Sequence, residues 1–466
     1  MELTERQRRV HFVGIGGIGM SGIAEVLLTL GFSVSGSDLQ ASQTTERLAR
    51  LGATIGFGHQ AERVSADVDV VVISSAVKFS NPEVVRAREL KIPVIPRAEM
   101  LAELMRMKSG LAVAGTHGKT TTTSLLGHVL AQAGLDPTLV IGGMVKGLGS
   151  NARLGGGAFL VAEADESDGS FLLLTPNVAI VTNIDPEHLD HYGHIERVHE
   201  AYLQFINRVP FYGLAVLCID SVAVRALLPR VRKRFVTYGL DADADLRAVQ
   251  VRVSEEGTQF EVSEQGQTLG AVQLRLPGRH NALNALAVIA AARELGIPFE
   301  TSVRALASFE GIHRRFELRG EAGGVLVVDD YGHHPEEVKA TLRAAREGYG
   351  RRLITVFQPH RYTRTRDLFD EFLGAFDDTD LLVLTEVYAA GEDRIEGVSG
   401  EALYEAFRRR GHVDVRFVAE REAVASELLP LLRGGDLVLT LGAGDVYRVG
   451  DALLQMLQHE TLAALQ

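Results

Sequence analysis

The chain has 466 residues, of which 46% are hydrophobic and 23% are charged, and its formal net charge is −12. This length corresponds to about three domains of ~150 residues, and the acidic balance argues against a nucleic-acid partner, which would need a basic patch. No long apolar run or signal peptide is apparent, and the single cysteine, Cys218, excludes an intrachain disulfide, so we expect a cytoplasmic protein without a membrane partner.

Short apolar runs alternate with helical stretches along most of the chain, which predicts α/β layers around mostly parallel sheets. Residues 246–276 break this rhythm by alternating polar and apolar side chains, so we expect an antiparallel hairpin addition there. Residues 280–295, rich in alanine and leucine, predict a helix. The predicted strands are 10–16, 69–74, 111–116, 159–165, 178–185, 213–220, 324–331, 353–358, 381–386 and 436–444.

A glycine-rich loop follows the first predicted strand. Gly14, Gly16 and Gly19 form the pattern G-x-G-x-x-G, in which glycine allows backbone N–H groups to approach a pyrophosphate at a helix N-terminus. Asp38 ends the next predicted strand, where a carboxylate can accept a ribose hydroxyl. The pattern predicts a dinucleotide-like ligand without identifying it, because NAD and a nucleotide-diphosphate sugar share these groups. The alternative is that the glycines serve only close packing.

A second glycine-rich loop, "GTHGKT" at residues 115–120, lies between a predicted strand and a threonine-rich helix. Lys119 would reach the terminal phosphates of ATP, and the hydroxyl of Thr120 would hold Mg²⁺. The loop is shorter than a standard P-loop, since Val113 stands where that pattern has its first glycine. An ordinary turn with a solvated lysine is the alternative, but it does not explain the position of the motif.

Acidic residues follow two further predicted strands, where ligands gather at the carboxyl ends of open α/β sheets. Carboxylates suit Mg²⁺, and one imidazole is tolerable among them. Any single acid could equally be a helix cap or a solvated loop residue, so the prediction concerns the set. Its members are Glu163, Asp165, Glu166, Asp168, Asp185, Glu187, His188, Asp190 and His191.

Histidines and arginines cluster after two strands near the C-terminal end. Fixed arginine charges oppose a bound dication and favour anions, because guanidinium groups match carboxylates and phosphoryl oxygens. The alternative for Arg364 and Arg366 is that they are exposed helix residues. The cluster comprises Asp329, Asp330, His333, His334, His360, Arg361, Arg364 and Arg366, with Arg314 and Arg315 nearby.

Together these segments resemble the ATP-dependent Mur ligases, which build the peptidoglycan precursor. The resemblance is carried, in chain order, by "GIGGIGMSGIAEVL", "GTHGKT", "EADESDGSF", "TNIDPEHLDHYG", "HNALNALA", "GIHRRFE", "DDYGHHPEE" and "QPHRYTRT". It implies an α/β fold of three domains: an N-terminal Rossmann-like domain, a central P-loop ATPase-type domain with the small antiparallel addition, and a C-terminal Rossmann-like domain. With joints near 96–110 and 316–324, the predicted domains are 1–107, 108–318 and 319–466.

The resemblance implies an ATP-dependent ligase that joins L-alanine to UDP-N-acetylmuramate. In the first step the muramoyl carboxylate attacks the γ-phosphorus of ATP and forms an acyl phosphate. The amine of L-alanine then displaces phosphate. The first loop would hold the UDP sugar and the second loop ATP, with two Mg²⁺ ions, in a monomer or homodimer.

Three alternatives remain at this point. A relative that attaches a whole tripeptide to the same sugar nucleotide, during muropeptide recycling, would share most motifs. A nicotinamide-dependent dehydrogenase would explain only the first loop. A nucleotide-gated binding module would use the loops without catalysis.

The resemblance also implies roles for individual residues. For ATP these are Gly115, Thr116, His117, Gly118, Lys119, Thr120, Thr121, His280, Asn281, Asn284, Arg314 and Asp330. For the UDP sugar they are Gly14, Gly16, Gly17, Gly19, Asp38, Ser75, Gly142, Gly143 and Asn151. For the amino acid they are Tyr331, His333, His360, Arg361 and Arg364, and for the metal Thr120, Glu163 and His188. Catalytic roles are implied for Lys119, Glu163, His188, His333, Arg361 and Arg364.

The family pattern is not matched at one point. Several Mur ligases carry a carbamylated lysine beside the second metal, but residues 189–232 contain no lysine. We therefore do not expect a carbamate ligand in this chain.

Overall fold

The computed structural model describes residues 8–74, 76–142, 152–241, 243–411 and 414–464. The chain divides into two compact units, each with its own core. The first consists of Met1–Val249, Glu261–Val272 and Leu283–Glu310, and the second of Gln250–Phe260, Gln273–Ala282 and Gly311–Gln466.

The first sheet is parallel and has the strand order β3-β2-β1-β4-β5. In this order the chain reverses direction across the sheet beside β1, and ligands of such folds bind outside the carboxyl ends of the strands at that point. Ser42 caps the second helix through a reciprocal pair of bonds with Thr45, and Pro82 starts the third, where its missing N–H costs nothing. The elements are β1 (Arg9–Val13), α1 (Ile18–Thr29), β2 (Ser33–Asp38), α2 (Gln43–Arg50), β3 (Thr54–Phe57), β4 (Val70–Ile73), α3 (Pro82–Glu89), β5 (Val94–Pro96) and α4 (Arg97–Arg106).

The second sheet has ten strands in the order β15-β14-β13-β12-β11-β10-β6-β9-β7-β8. Its central strands are parallel, and the sequence-adjacent strands β13, β14 and β15 form one edge. The strands are β6 (Ser109–Ala114), β7 (Thr138–Val140), β8 (Ala152–Arg153), β9 (Phe159–Glu163), β10 (Val178–Val181), β11 (Leu214–Cys218), β12 (Phe235–Gly239), β13 (Leu246–Ser254), β14 (Gly257–Glu264) and β15 (Gln267–Leu274). The helices are α5 (Lys119–Gln132), α6 (Leu189–Tyr192), α7 (Ile195–Asn207), α8 (Val222–Leu227), α9 (Arg279–Glu294) and α10 (Phe299–Ser308).

The third sheet has the order β16-β17-β21-β18-β19-β20 and is parallel except for β16. Strands β17, β19 and β21 are buried along their whole length, as expected where both faces of a parallel sheet are covered. The strands are β16 (Glu317–Ala322), β17 (Val325–Asp330), β18 (Arg352–Phe357), β19 (Leu381–Leu384), β20 (Asp414–Phe417) and β21 (Asp436–Leu441). The helices are α11 (Pro335–Tyr349), α12 (Tyr362–Asp367), α13 (Phe369–Leu373), α14 (Gly400–Arg410), α15 (Arg421–Leu428) and α16 (Tyr447–Ala464).

The predicted fold class is confirmed, since the structure is α/β with three sheets. Each of the ten predicted strand segments overlaps a strand, with bounds that differ by a few residues, and the helix predicted at 280–295 is α9. The sequence does not predict β3, β12 and β20, because they are only four or five residues long, and β3 and β20 also carry exposed polar side chains. The segments predicted as joints contain α4 and β16. Among the described helices, none has the length and apolarity needed to span a bilayer.

Candidate active site

The first glycine-rich loop is fixed to the end of β2. The N–H groups of Gly14 and Ile15 both donate to the carbonyl of Ser37, at 2.8 and 2.9 Å. The N–H of Gly16 donates to Asp38 Oδ2 at 2.8 Å, and a Cβ on Gly16 would lie 2.8 Å from that same oxygen. The carboxylate predicted to bind ribose therefore also shapes the loop.

The other residues predicted to bind the sugar nucleotide are spread more widely. Gly17 immediately precedes α1, and a Cβ on Gly19 would lie 2.9 Å from Arg97 Nη1. Gly142 lies at the second sheet, where its N–H donates to Glu163 Oε1 at 2.6 Å. Ser75, Gly143 and Asn151 lie outside the described residues.

The second loop requires glycine at two positions. Gly115 has φ +142°, and a Cβ there would lie 1.9 Å from Thr182 Oγ1. Gly118 has φ +82°, and its Cβ would lie 2.7 Å from Asn284 Oδ1. Both backbone conformations are ones that side chains rarely adopt. Asn183 completes the support, since its Oδ1 accepts the N–H of His117 at 2.8 Å.

Lys119 begins α5, and its ammonium group pairs with a buried acid. It donates to Glu166 Oε1 at 2.8 Å and to the carbonyl of Thr116 at 3.1 Å. Burial disfavours the charged ammonium, but the nearby Glu166 carboxylate outweighs this and raises the pKa of Lys119. Burial in turn raises the pKa of Glu166 to about 7. The lysine is therefore held as a cation inside the loop.

A group of potential metal ligands surrounds this pair. Glu166, Glu187 and His188 each offer an atom, and these atoms lie within 4.8 Å of one another. Glu166 Oε2 is buried without a hydrogen-bond partner among the described residues, and two carboxylates with one imidazole form a donor set that suits a divalent cation. The residues present therefore fit Mg²⁺.

The predicted metal ligands relate to this group in different ways. His188 belongs to it, with Nε2 3.8 Å from Glu187 Oε2. Thr120 is buried in the first turn of α5, and Glu163 accepts the N–H of Gly142. The sequence indicates Glu166 only as one of several acids near the end of β9, because residue spacing does not show which acid turns toward the lysine.

Arg314, in the second unit, is fully engaged. Its guanidinium donates to Asp329 Oδ2 at 3.0 Å and to the carbonyls of Gly442 and Gly444 at 2.6 and 2.8 Å. The same group lies over the rings of Tyr331 and Tyr447. Arg314 thereby organises the loop that follows β21, and its predicted contact with ATP phosphates stays a prediction.

Asp330 is buried at the end of β17. It accepts the N–H groups of Phe316 and Gly332, both at 2.7 Å, and the hydroxyl of Thr341 at 3.3 Å. Burial raises its pKa to about 6. These bonds fix the turn after the strand, and the predicted role toward ATP stays untested by the geometry.

The residues predicted to bind the amino acid come together in this unit. The ring of His333 lies 5.5 Å from that of Tyr331 and 5.8 Å from that of His360. Arg364 Nη1 is 3.4 Å from His360 Nδ1. Arg361 Nε lies 4.0 Å from Glu392 Oε1.

His360 is an uncharged imidazole within this cationic cluster. Burial is the main reason, followed by the charges of His333, Arg364 and Arg361, and together they lower the pKa of His360 to about 3. A neutral ring with arginines beside it can accept one hydrogen bond and donate another, which suits recognition of a small zwitterion.

Helix α9 carries the residues predicted to contact adenine. Asn281 Nδ2 donates to the carbonyl of Pro277 at 2.8 Å, and Asn284 Oδ1 accepts the hydroxyl of Thr122 at 3.1 Å. Burial, with the charge of Arg315, lowers the pKa of His280 to about 4. Asn284 thus lies against the second loop, and its predicted role in the nucleotide site stays a prediction.

The fold and these loops define a class of nucleotide-binding α/β protein, and comparison with known proteins identifies the family. Three family models match successive parts of the chain: the Mur ligase family catalytic domain at residues 9–109, the Mur ligase middle domain at 113–292, and the Mur ligase glutamate ligase domain at 314–444. The chain belongs to the Mur ligase family, which confirms the resemblance seen in the motifs.

Individual relatives point to one branch. A UDP-N-acetylmuramate–L-alanine ligase of Geobacter sp. (strain M21) is 60% identical over 97% of this chain and 98% of its own length. The crystal structure of UDP-N-acetylmuramate-alanine ligase from Thermotoga maritima matches with a TM-score of 0.82 and 30% identity, covering 97% and 99% of the two chains. A murein peptide ligase from Psychrobacter arcticus matches with a TM-score of 0.69 and 25% identity, covering the same shares.

Proposed function

We propose that this chain joins L-alanine to UDP-N-acetylmuramate in an ATP-dependent reaction, the first amino-acid addition to the peptidoglycan precursor. The observation that carries the proposal is the second loop, in which Lys119 is paired with Glu166 beside His188 and Glu187. A lysine at the start of a helix, with acids at neighbouring strand ends, is what phosphoryl transfer from ATP needs. Identity to alanine ligases over the full chain supports alanine as the amino acid.

In this proposal each of the three sheets belongs to a domain that binds a different substrate. We assign residues 1–107 to the UDP sugar, 108–318 to ATP and 319–466 to the amino acid. The first loop offers backbone N–H groups at a helix N-terminus, which suits the pyrophosphate of the sugar nucleotide. The arginine and histidine cluster after β17 and β18 suits the carboxylate of alanine.

The chemistry then follows from positions and charges. Lys119 holds the β- and γ-phosphates while the muramoyl carboxylate attacks the γ-phosphorus, releasing ADP. Arg361 and Arg364 bind the carboxylate of alanine, and its uncharged amine attacks the acyl carbon, so that phosphate leaves. Bound Mg²⁺ would neutralise phosphate charge. Thr120, Glu163 and His188 would hold the two ions, together with the acids around His188.

Phosphate release by the purified protein tests this reaction. With ATP, Mg²⁺ and UDP-N-acetylmuramate, L-alanine should stimulate release of phosphate, and the tripeptide of the recycling branch should not. ¹⁸O placed in the muramoyl carboxylate should appear in the released phosphate, as an acyl phosphate requires. Stimulation by the tripeptide alone would move the chain to the recycling branch, and no stimulation by either would refute the proposal.

A loop variant separates catalysis from nucleotide binding alone. Lys119→Ala removes the cation at the β/γ-phosphates, and we expect turnover to fall by about 10³-fold or more. Lys233→Ala, just before β12 and outside every predicted site, is the matched control and should turn over normally. Normal turnover by Lys119→Ala would favour a binding module.

A further inference from the structure

Tyr388 lies in the loop after β19 and pairs with the segment that carries His360. Its N–H donates to the carbonyl of Pro359 at 2.8 Å, and its own carbonyl accepts the N–H of Arg361 at 2.9 Å. These bonds form an isolated parallel bridge between Tyr388 and His360. The two side chains therefore leave the backbone next to each other.

The rings of Tyr388 and His360 are stacked. Their centroids are 5.5 Å apart and their planes differ by only 9°. A histidine ring can turn about its terminal torsion at little cost, and stacking on a fixed aromatic ring removes that freedom. In the observed orientation His360 Nδ1 faces Arg364 Nη1 at 3.4 Å.

Gly444, after β21, supports the tyrosine ring. A Cβ on Gly444 would lie 2.8 Å from Tyr388 Cγ and 2.4 Å from Gln358 Oε1, so only glycine fits. The loop that contains Gly444 is itself fixed, because Asp445 exchanges hydrogen bonds with Gln358 at 3.1 Å in both directions. Tyr388 therefore contacts both His360 and this hydrogen-bonded loop, while 38% of the residue stays exposed.

The same loop stabilises an unfavourable backbone turn in the predicted amino-acid site. Arg361 has φ +70°, a conformation that costs a non-glycine residue free energy and persists only when its surroundings enforce it. Glu392 accepts the N–H and the hydroxyl of Thr363, at 3.0 and 2.7 Å. The segment from Tyr388 to Glu392 thus fixes the turn that carries His360, Arg361 and Arg364.

We propose that Tyr388, supported by Gly444, is a positioning residue of the amino-acid site: its ring fixes the imidazole of His360, which in turn keeps Arg364 oriented toward the carboxylate of the incoming amino acid. This inference rests on the proposed function. The ring acts on a group that we assign to alanine alone, so its removal weakens binding of alanine selectively. The stacking contribution of one ring corresponds to a loss of about tenfold.

Steady-state kinetics of three variants test this role. Tyr388→Leu should raise the KM for alanine about tenfold, with a smaller change in kcat and no change in the KM for UDP-N-acetylmuramate. Tyr388→Phe keeps the stacked ring and should restore the wild-type KM. Gly444→Ala displaces the ring from its other contact and should also raise the KM for alanine. Gly450→Ala is the control, because Gly450 lies in α16 and its Cβ would meet only Val327 Cγ1 at 3.0 Å and Thr440 at 3.6 Å or more, so it adds a methyl group to the same domain without contacting Tyr388.

The outcomes separate this inference from the function on which it rests. A wild-type protein that makes no ADP with alanine refutes the proposed function. Active wild-type protein with an unchanged alanine KM in both Tyr388→Leu and Gly444→Ala refutes the positioning role. A parallel rise in the KM of all three substrates also refutes it, since that pattern indicates general loss of structure. If Tyr388→Leu does not fold, Gly444→Ala decides.

Discussion

Replacing Glu83 by leucine tests whether a buried polar network supports the first loop. The Glu83 side chain is 0% exposed and accepts hydrogen bonds from His11 Nε2 at 2.9 Å, Ser37 Oγ at 2.8 Å and the N–H of Gln60 at 3.1 Å. The other ring nitrogen of His11 lies 2.8 Å from Ser35 Oγ. Burial opposes the charge of Glu83, but the bonds from His11 and Ser37 lower its pKa below the ordinary value. Glu83 is therefore a carboxylate at neutral pH.

The expected loss of stability follows from the hydrogen-bond donors that leucine leaves without an acceptor. Glu83 accepts from three donors, and each buried donor left without an acceptor costs about 1–3 kcal/mol, so their loss together costs about 3–5 kcal/mol. We expect Glu83→Leu to lower the unfolding free energy of the part of the chain that forms the first sheet by this amount. The double variant His11→Leu/Glu83→Leu should recover part of the loss, since it removes both partners. Because the pKa of Glu83 is lowered, its contribution is present above pH 4.5 and is lost as the pH falls below that value.

The Glu83→Leu substitution should also disturb the first glycine-rich loop, which we assign to the UDP sugar. The carbonyl of Ser37 accepts the N–H groups of Gly14 and Ile15, so loosening Ser37 should raise the KM for UDP-N-acetylmuramate and leave the KM for alanine unchanged. Hydrogen exchange of the β1 and β2 amides measures the stability, and steady-state kinetics measure the binding. Wild-type exchange in Glu83→Leu, or equal changes in every KM, would refute the reasoning.

Three further predictions concern the other sites. Gly115→Ala places a Cβ 1.9 Å from Thr182 Oγ1 and should lower ATP-dependent turnover by about 10²-fold. Gly52→Ala is its control, because Gly52 has φ +106° but open space around it. This control should lose only about 1 kcal/mol of stability and keep its activity. Glu163→Gln should raise the Mg²⁺ concentration for half-maximal rate by about tenfold or more. Glu62→Gln, at an exposed position, is the control and should not change it. An unchanged Mg²⁺ requirement in Glu163→Gln would exclude Glu163 as a ligand. The raised pKa of Asp330, about 6 against 3.8, means that the fold prefers its protonated form. About 3 kcal/mol of stability should therefore be present below pH 4 and disappear as the pH rises through 6, and urea unfolding of Asp330→Asn should show a flatter pH dependence across that window.

Local chemistry explains why the loops could be predicted from the sequence. Glycines between a strand and a helix have few uses besides a close backbone approach, and the structure shows that Gly115 and Gly118 have no room for a Cβ. The buried strands were equally clear, since continuous apolar runs such as those of β17 and β21 have few other places in a fold.

Contacts between distant parts of the chain could not be predicted in this way. Glu166 is one of four acids in residues 163–168, where β9 ends, and only the path of the chain after the strand selects it as the partner of Lys119. Tyr388 and Gly444 meet because β18, β19 and β21 are neighbours in the sheet, which residue spacing does not reveal. Glu83 and His11, 72 residues apart, meet for the same kind of reason.

Nine described residues other than glycine have a positive φ, and three of them are predicted site residues. His188, Arg314 and Arg361 have φ of +57°, +61° and +70°, values that glycine adopts freely and other residues adopt at a cost of about 1–3 kcal/mol. Each is held by specific bonds; for example, the carbonyl of Arg314 accepts the N–H of Tyr331 at 2.7 Å. Glycine at these positions would relieve the strain but would remove an imidazole or a guanidinium. The chain thus keeps an imidazole or a guanidinium at three positions where the backbone conformation is unfavourable. The motifs assign these residues to the metal, the phosphates and the amino acid. Such strain is expected where the direction of a side chain matters more than local stability.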